Sequence, residues 1–351
     1  MTKKVKNKNG AVTIEMVAAE AGVSKTTVSF VLNNNPTISE KTRRKVLDIV
    51  QSLRYQPNVN ARNLSSRKNK TICVVVPEFG HIFEDPYFSR ALGGVYDEIE
   101  AMDYRITLRK ASLSFASNKE FLNLFRSSEI SGMIYVGSTL DDYYLADFAG
   151  SDFPFVFMNS YLPGVEIPYV MVDCVKVGLL ATNHLISLGH KRIARVAGSS
   201  NTVTARDIGV GYRKALREAG IEYDSKLEIG DTYSPEAAVE AVLKLLDSDK
   251  SATAFMVAND IMAYSIMEAL NRKGMRIPGD CAVIGCDNID FSRLISPPLT
   301  SVDLKVFETA RETVRLLFKT IEAGAEKVQM SKIIEPKLII RSSCGEKNII
   351  A

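Results

Sequence analysis

The sequence predicts an α/β protein in two parts, an all-helical amino-terminal headpiece and a body of two doubly wound α/β lobes. Three observations carry that expectation. Residues 12–53 repeat apolar side chains at helical spacing, punctuated by capping residues. From Thr71 the texture changes to short, continuous apolar runs alternating with helical stretches, the pattern of parallel strands covered on both faces. The length of 351 residues exceeds what one hydrophobic core ordinarily organises.

In the headpiece, Thr13 can cap a helix over Ile14–Ala21, whose Ile14, Val17, Ala18 and Ala21 share a face. Gly22 follows, a residue able to take the left-handed turn that ends a helix, and Val23 can plug the core. Ser24 caps a second helix, Lys25–Leu32, with Val28 and Leu32 inward. Asn33-Asn34-Asn35-Pro36 breaks the pattern. Ser39 caps a third helix running to about Leu53, with Val46, Ile49, Val50 and Leu53 on its apolar side. Two short helices around a glycine turn, followed by a third, form a helix-turn-helix unit whose second helix presents Lys25, Thr26, Ser29 and Phe30 outward. Residues 1–70 hold 14 Lys/Arg and 4 Asp/Glu, a balance of +10, whereas the remainder stands at −7. A basic module on a mildly acidic body points to a polyanion partner. Dropping the four lysines before residue 10 still leaves +6, so a basic tail does not explain the asymmetry. A three-helix bundle with no nucleic-acid role is the alternative.

In the body, Thr71–Pro77 (TICVVVP) reads as a strand buried on both faces. Similar runs recur at 105–108, Gly132–Val136, Phe155–Met158, 192–197, 254–258 and 281–285. Helical segments at 87–102, 178–188, 206–219, 235–246 and 260–273 lie between them. The alternation argues for doubly wound architecture, and residues 71–351 suffice for two such lobes. The chain is expected to cross between lobes near 159–172, 290–302 and 330–336, where Pro163 and Ser296-Pro297-Pro298 interrupt the pattern. Ligands of such folds bind outside the carboxyl ends of the strands.

Several functions are excluded. No apolar run is long enough to span a membrane, and the start, MTKKVKNKNG, lacks the apolar core of a secretory signal, so a cytoplasmic protein is expected. The five cysteines (Cys73, Cys174, Cys281, Cys286, Cys344) are scattered and read as buried free thiols; Cys281 and Cys286, five apart on a strand, point to opposite faces. No G-x-G-x-x-G follows the first strand and no P-loop is present. His81, His184 and His190 lack zinc spacing, and the latter two sit at a helix end. No catalysis, cofactor or metal is expected.

Residues 12–70 resemble the headpiece of the lac repressor family (LacI/GalR). The marks are AGVSKTTVS, VLN, the Ser-x-x-Thr-Arg start of the third helix, Tyr55-x-Pro57-Asn58, and Ala61-Arg62-x-Leu64. The resemblance continues through Pro86-Tyr87-Phe88, Asp173 before Gly178, HLISLGHKRIARVAG, Gly211-Tyr212-Arg213, Ala258-Asn259-Asp260 and IGCDN before Pro297-Pro298-Leu299-Thr300. It implies domains at 1–57 (DNA-binding headpiece), 58–70 (hinge helix and linker) and 71–351 (a periplasmic-binding-protein-like sensor and dimerisation body).

On the headpiece the resemblance implies phosphate contacts from Ser24 and Thr27 and base contacts from Lys25 and Thr26 in the major groove. Thr13, Ser29, Asn33, Tyr55 and Asn58 complete the implied interface. Ala61 lies at a paired hinge helix, and Leu64 is an apolar wedge in the minor groove. Phe30 departs from the pattern, since the family commonly places an arginine there, and a phenyl ring cannot make a bidentate contact to guanine. In the body the resemblance places effector contacts at Tyr87, Phe88, Asp173, Asn259 and Asp287, with Tyr233 as an aromatic wall. Each has a structural alternative: core packing, a helix cap or a strand end. A second departure is Ile208, where the family often has an effector-binding arginine; Arg206 is the nearest substitute.

The expected function is a transcription regulator, a repressor, whose affinity for a near-palindromic double-stranded DNA operator is set by a small-molecule effector, a sugar or a derivative of one. A paired hinge implies a homodimer. Control by a protein co-regulator docked on the 87–102 helix of the first lobe is the alternative, and a solute-binding protein the remote one.

Overall fold

The computed structural model describes residues 12–32, 35–55, 69–78, 82–249, 251–324 and 331–345. The chain divides into two compact units, Met1–Asn69 and Lys70–Ala351.

In the first unit α1 (Ile14–Ala21), α2 (Lys25–Leu32) and α3 (Glu40–Ser52) enclose a core of Val17, Ala18, Ala21, Val28, Val31 and Val46. Gly22 takes φ +64°, and its N–H and that of Val23 close the end of α1 on carbonyls of its last turn. The Ser39 hydroxyl accepts from Thr42 N at the start of α3. The inward residues of α2 are Val28 and Val31; Leu32, expected inward, is only half-buried, because the i+3 position faces the core more squarely on so short a helix.

The second unit contains two parallel sheets. The first has strand order β11-β5-β4-β3-β1-β2, from β1 (Thr71–Pro77), β2 (Arg105–Ala111), β3 (Gly132–Val136), β4 (Phe155–Met158), β5 (Tyr169–Val172) and β11 (Ser331–Ile334). The second repeats the pattern as β12-β10-β9-β8-β6-β7, from β6 (Ile193–Val196), β7 (Glu228–Ile229), β8 (Ala254–Val257), β9 (Ala282–Cys286), β10 (Thr300–Asp303) and β12 (Lys337–Ile339). All pairings are parallel except β10 with β12. Strands β3, β4, β8 and β9 are buried throughout, which is why they read as unbroken apolar runs.

Around the first sheet lie α4 (Pro86–Ala101), α5 (Leu113–Ser117), α6 (Glu120–Arg126) and α11 (Val306–Ala323). Belonging to the second lobe are α7 (Cys174–Ser187), α8 (Val203–Glu218), α9 (Pro235–Ser248) and α10 (Asp260–Arg272). Helices α7 and α8 meet at Gly178 and Gly211, where a Cβ on Gly178 would lie 2.8 Å from Tyr212 N and 3.0 Å from Gly211 Cα. The buried Tyr212 hydroxyl donates to Ile193 O, 2.8 Å, fastening α8 to β6. His184 and Thr300 each lie 3.1 Å from Cys344 Sγ, which ties the last described segment to the second lobe.

The chain passes between the lobes three times: from β5 into α7, from β10 into α11, and from β11 into β12. The first two passages lie just beyond the expected ranges 159–172 and 290–302, whose last residues are strands β5 and β10. The third falls at 335–336. Both sheets reverse their winding where β1 meets β3 and β6 meets β8, so the loops that leave those strands converge on the space between the lobes.

Candidate functional site

The headpiece presents the start of α2. The Ser24 hydroxyl accepts from Thr27 N, 3.1 Å, and lies 2.9 Å from Thr27 Oγ1. Lys25 and Thr26 are exposed beside it, Ser29 is half-buried, and Phe30 is 41% exposed. Lys25 Nζ is 2.7 Å from Glu15 on α1, and this contact, first among its causes, holds the Glu15 carboxyl down at about 2. Glu15 escaped the sequence reading; a carboxylate on α1 opposite Lys25 was the available signal. Thr13 precedes α1 without a side-chain cap bond. Tyr55 is half-buried against the headpiece core, and its N–H reaches Val50 O. Asn33, Asn58, Ala61 and Leu64 lie outside the described residues.

The second candidate site lies between the lobes, at the strand carboxyl ends. Pro86 opens α4 and Asp85 caps it, accepting from Tyr87 N at 2.9 Å and Phe88 N at 3.1 Å. The cap fixes the two rings edge to face, centroids 5.0 Å apart. Phe88 turns into the first lobe toward Gly137 and is 8% exposed, so it serves mainly as core. The Tyr87 hydroxyl is buried without a partner in hydrogen-bond geometry. Burial dominates and raises its pKa, while the nearby Asn159 side chain works the other way.

The second lobe supplies the acids. Asp287 follows β9 at φ +102°. No hydrogen bond to its carboxylate is found among the described residues. Burial between the lobes, then Asp260 and Asp85, push its pKa well above the usual carboxylate value, with Arg90 opposing. Asp207 on α8 accepts from the Tyr161 hydroxyl of the first lobe, 3.4 Å, and its pKa is raised by burial first. Asp207 carries no signal of its own in the sequence, where it lies between Arg206 and Ile208. Asp173 and Asn259 both cap helices, accepting from Lys176 N at 2.9 Å and Met262 N at 2.8 Å. Tyr233 lies against Gly198, and its outer face is open.

Arg206, the substitute for the missing arginine that the sequence offered, is exposed and donates to Ser200 O at 2.8 Å. Ile208 instead borders a small void of about 10 Å³, walled by Arg195, Gly198, Ala205 and Tyr233. Arg195 is buried and already satisfied by Glu228 and by Ala205 O, each at 2.5 Å.

Beneath the cleft, the carboxylate of buried Asp260 accepts from Ile289 N at 2.9 Å and from the hydroxyls of Ser292 and Ser301, each at 2.6 Å. Burial outweighs those donors and raises its pKa to about 6. Two bridges span the mouth. Arg90 donates to Asn288 O at 3.0 Å and lies 3.7 Å from Asp290. Asn201 bonds Asp141 at 2.7 Å through its amide, and its carbonyl accepts from Leu140 N at 2.8 Å. No group of three or more metal-ligating side chains occurs among the described residues, and no helix among them is long and apolar enough to cross a membrane.

Residues 13–58 match the bacterial regulatory proteins of the lacI family, and residues 182–344 match a periplasmic binding protein-like domain. Catabolite control protein A of Priestia megaterium is 33% identical over 310 residues, 88% of this chain and 92% of that protein. The HTH-type transcriptional repressor CytR of Escherichia coli K12 is 31% identical over 97% of this chain and 98% of its own length. Among solved structures, the lac repressor dimer bound to operator and the anti-inducer ONPF superposes with a TM-score of 0.83. It is 25% identical and covers 95% of this chain and 99% of that one. These relatives are regulators, not enzymes.

Proposed function

The chain belongs to the lacI family, whose members are DNA-binding transcriptional regulators, and from that premise we propose that it is a homodimeric repressor controlled by a small molecule. Two headpieces read a near-palindromic operator. At each, the amino terminus of α2 meets phosphate through Ser24 and Thr27, while Lys25 and Thr26 reach base edges. The hinge residues Asn58, Ala61 and Leu64 contact the DNA, with Leu64 as the minor-groove wedge.

An effector between the lobes shifts the balance between arrangements that do and do not support the hinge. The observation that carries this reading is Asp287. Its carboxylate is half-buried and has no hydrogen bond among the described residues, in lobes that are joined by Arg90–Asn288 and Asn201–Asp141, and it is left to accept from a ligand. The lac repressor dimer, with operator and a small molecule both bound, supports the same division of labour.

The test has two stages. Operator selection followed by a binding titration gives the site, and light scattering gives the oligomeric state, expected to be a dimer. A thermal-shift screen then finds ligands, and each is added to the operator titration with wild type and with Asp287→Ala. A ligand that changes operator affinity in the wild type and loses its effect in the variant supports the reading. Unchanged operator affinity with every ligand that binds the protein overturns it.

A further inference from the structure

The second helix of the headpiece lacks the usual chemistry for reading guanine. Its sequence, KTTVSFVL, has no arginine, and its one basic side chain, Lys25, is in contact with Glu15. Its outer face offers hydroxyl, methyl and phenyl groups instead. Val28 and Val31 are its buried residues. At 100° per residue, Phe30 lies about 200° round the helix from Val28 and about 40° from Thr26, one turn earlier. Phe30 is accordingly 41% exposed, and it is not among the side chains that pack the headpiece core. Exposed apolar side chains are ordinary when scattered singly, and Met16 on α1 and Leu47 on α3 are two such. Phe30 differs from them in its place. It extends the row of Lys25, Thr26 and Ser29, in a segment, residues 1–70, with a charge balance of +10. Its apolar surface therefore stands where DNA is expected.

From this we propose that Phe30 is a specificity-determining residue that reads the methyl group of a thymine in the major groove. The inference rests on the operator reading of α2 given above and names the chemical group recognised. Among the four bases only thymine presents a methyl group in that groove; the other features are hydrogen-bond donors and acceptors, and a phenyl ring satisfies none of them. Set against a guanine or adenine edge, the ring would strip water from polar atoms and return no hydrogen bond. Set against thymine, it covers the methyl. Four residues of helix rise about 6 Å, nearly two base-pair steps of about 3.4 Å. The thymine therefore lies roughly two base pairs from the base that Thr26 contacts.

The test uses the full-length protein and synthetic operators. Binding-site selection supplies the operator. Each thymine of a half-site is then replaced singly by deoxyuridine, which removes the methyl and keeps every hydrogen-bonding atom of the base. Anisotropy titrations at fixed salt compare the wild type with Phe30→Ala and Phe30→Leu. At one thymine, near the position whose preference shifts in Thr26→Ala, uracil should weaken wild-type binding by about fourfold, the worth of one buried methyl group. Phe30→Ala should bind the thymine operator more weakly and should not distinguish thymine from uracil there. Phe30→Leu, which keeps an apolar side chain, should retain part of the preference. The uracil scan of the wild type needs no variant, so it reads the proposal whatever the fold of Phe30→Ala.

The proposal is overturned if no thymine shows a methyl effect with the wild type, or if the effect is as large with Phe30→Ala. It is also overturned if Phe30→Ala weakens binding equally to every sequence, which puts the ring on the sugar–phosphate backbone. In each of these cases the operator reading of α2 stands if Lys25→Ala and Thr26→Ala change the bases selected, and falls with the proposal if neither does.

Discussion

Replacing Gly178 by alanine tests how the second lobe is held together. The added Cβ would stand 2.8 Å from Tyr212 N and 3.0 Å from Gly211 Cα, and nearer still to the Ile208 carbonyl. These are backbone atoms of α8, so no side-chain rotation relieves the clash, and α8 must move as a body by about 1 Å. That movement pulls against the Tyr212–Ile193 hydrogen bond. Overpacking of this kind costs ~1–3 kcal/mol, while the better helix propensity of alanine returns up to ~1 kcal/mol. The net expectation is a loss of ~1–2 kcal/mol and a melting temperature lower by ~2–8 °C. Gly93→Ala is the matched control: it also lies inside a helix, but nothing stands within 4 Å of its Cβ. It should be neutral or stabilising by up to ~1 kcal/mol. Thermal and urea melts of both variants beside the wild type read the difference, in which helix propensity largely cancels. Equal stability of the two variants would refute the close crossing as the reason for glycine at 178.

Other perturbations follow from the same structure. Asp260 has a folded pKa of about 6 against an ordinary 3.8, so the folded state holds its proton more tightly than the unfolded. Its contribution is therefore most favourable below pH 4, declines as pH rises from about 4 to 6, and stays lower above that by ~3 kcal/mol. Chemical denaturation across this range should show the slope in wild type and not in Asp260→Asn; parallel pH profiles would count against it. Glu15→Gln should free Lys25 for DNA and raise operator affinity at low salt, by up to about fivefold given the ~0–1 kcal/mol typical of an exposed pair; fluorescence anisotropy showing weaker binding would argue against the tether. Phe30→Arg should change the bases selected at one operator position, read by binding-site selection, and identical motifs would refute it. All five thiols are buried, with Cys73 pushed up to about 12 and Cys281 to about 11 by burial. A thiol reagent at mildly alkaline pH should consequently react only on unfolding, and fast labelling of the native protein would disprove it.

Legibility in the sequence followed burial. Strands β3 and β4 are apolar throughout, and their limits are those expected from composition alone. Strands β5 and β10 were hidden: each is four residues long and adjoins a passage between lobes, and β10, Thr-Ser-Val-Asp, is buried while three of its four residues are polar. The buried hydroxyls there serve Asp260 and Cys344, a purpose no periodicity announces. Helix α11 is absent from the expected segments although Val306, Ala310, Val314 and Leu317 recur at helical spacing; charged residues dominate its other face and mask the stripe. At the cleft, the family resemblance pointed to Tyr87 and Asp287. It could not tell that the Asp173 and Asn259 side chains are engaged in capping helices, nor that Asp207 and not Arg206 faces the first lobe, because a turn of helix decides that by 100° per residue.

The two bridges at the cleft mouth have a consequence for time as well as for affinity. On the proposed effector reading, a ligand held behind Arg90–Asn288 and Asn201–Asp141 is released as those contacts part. The dwell of such a ligand then has a floor set by how often the protein opens, shared by tight and weak binders alike. A cell emptied of the signal would keep its memory for one opening time, and trimming Arg90 or Asn201 would shorten that memory.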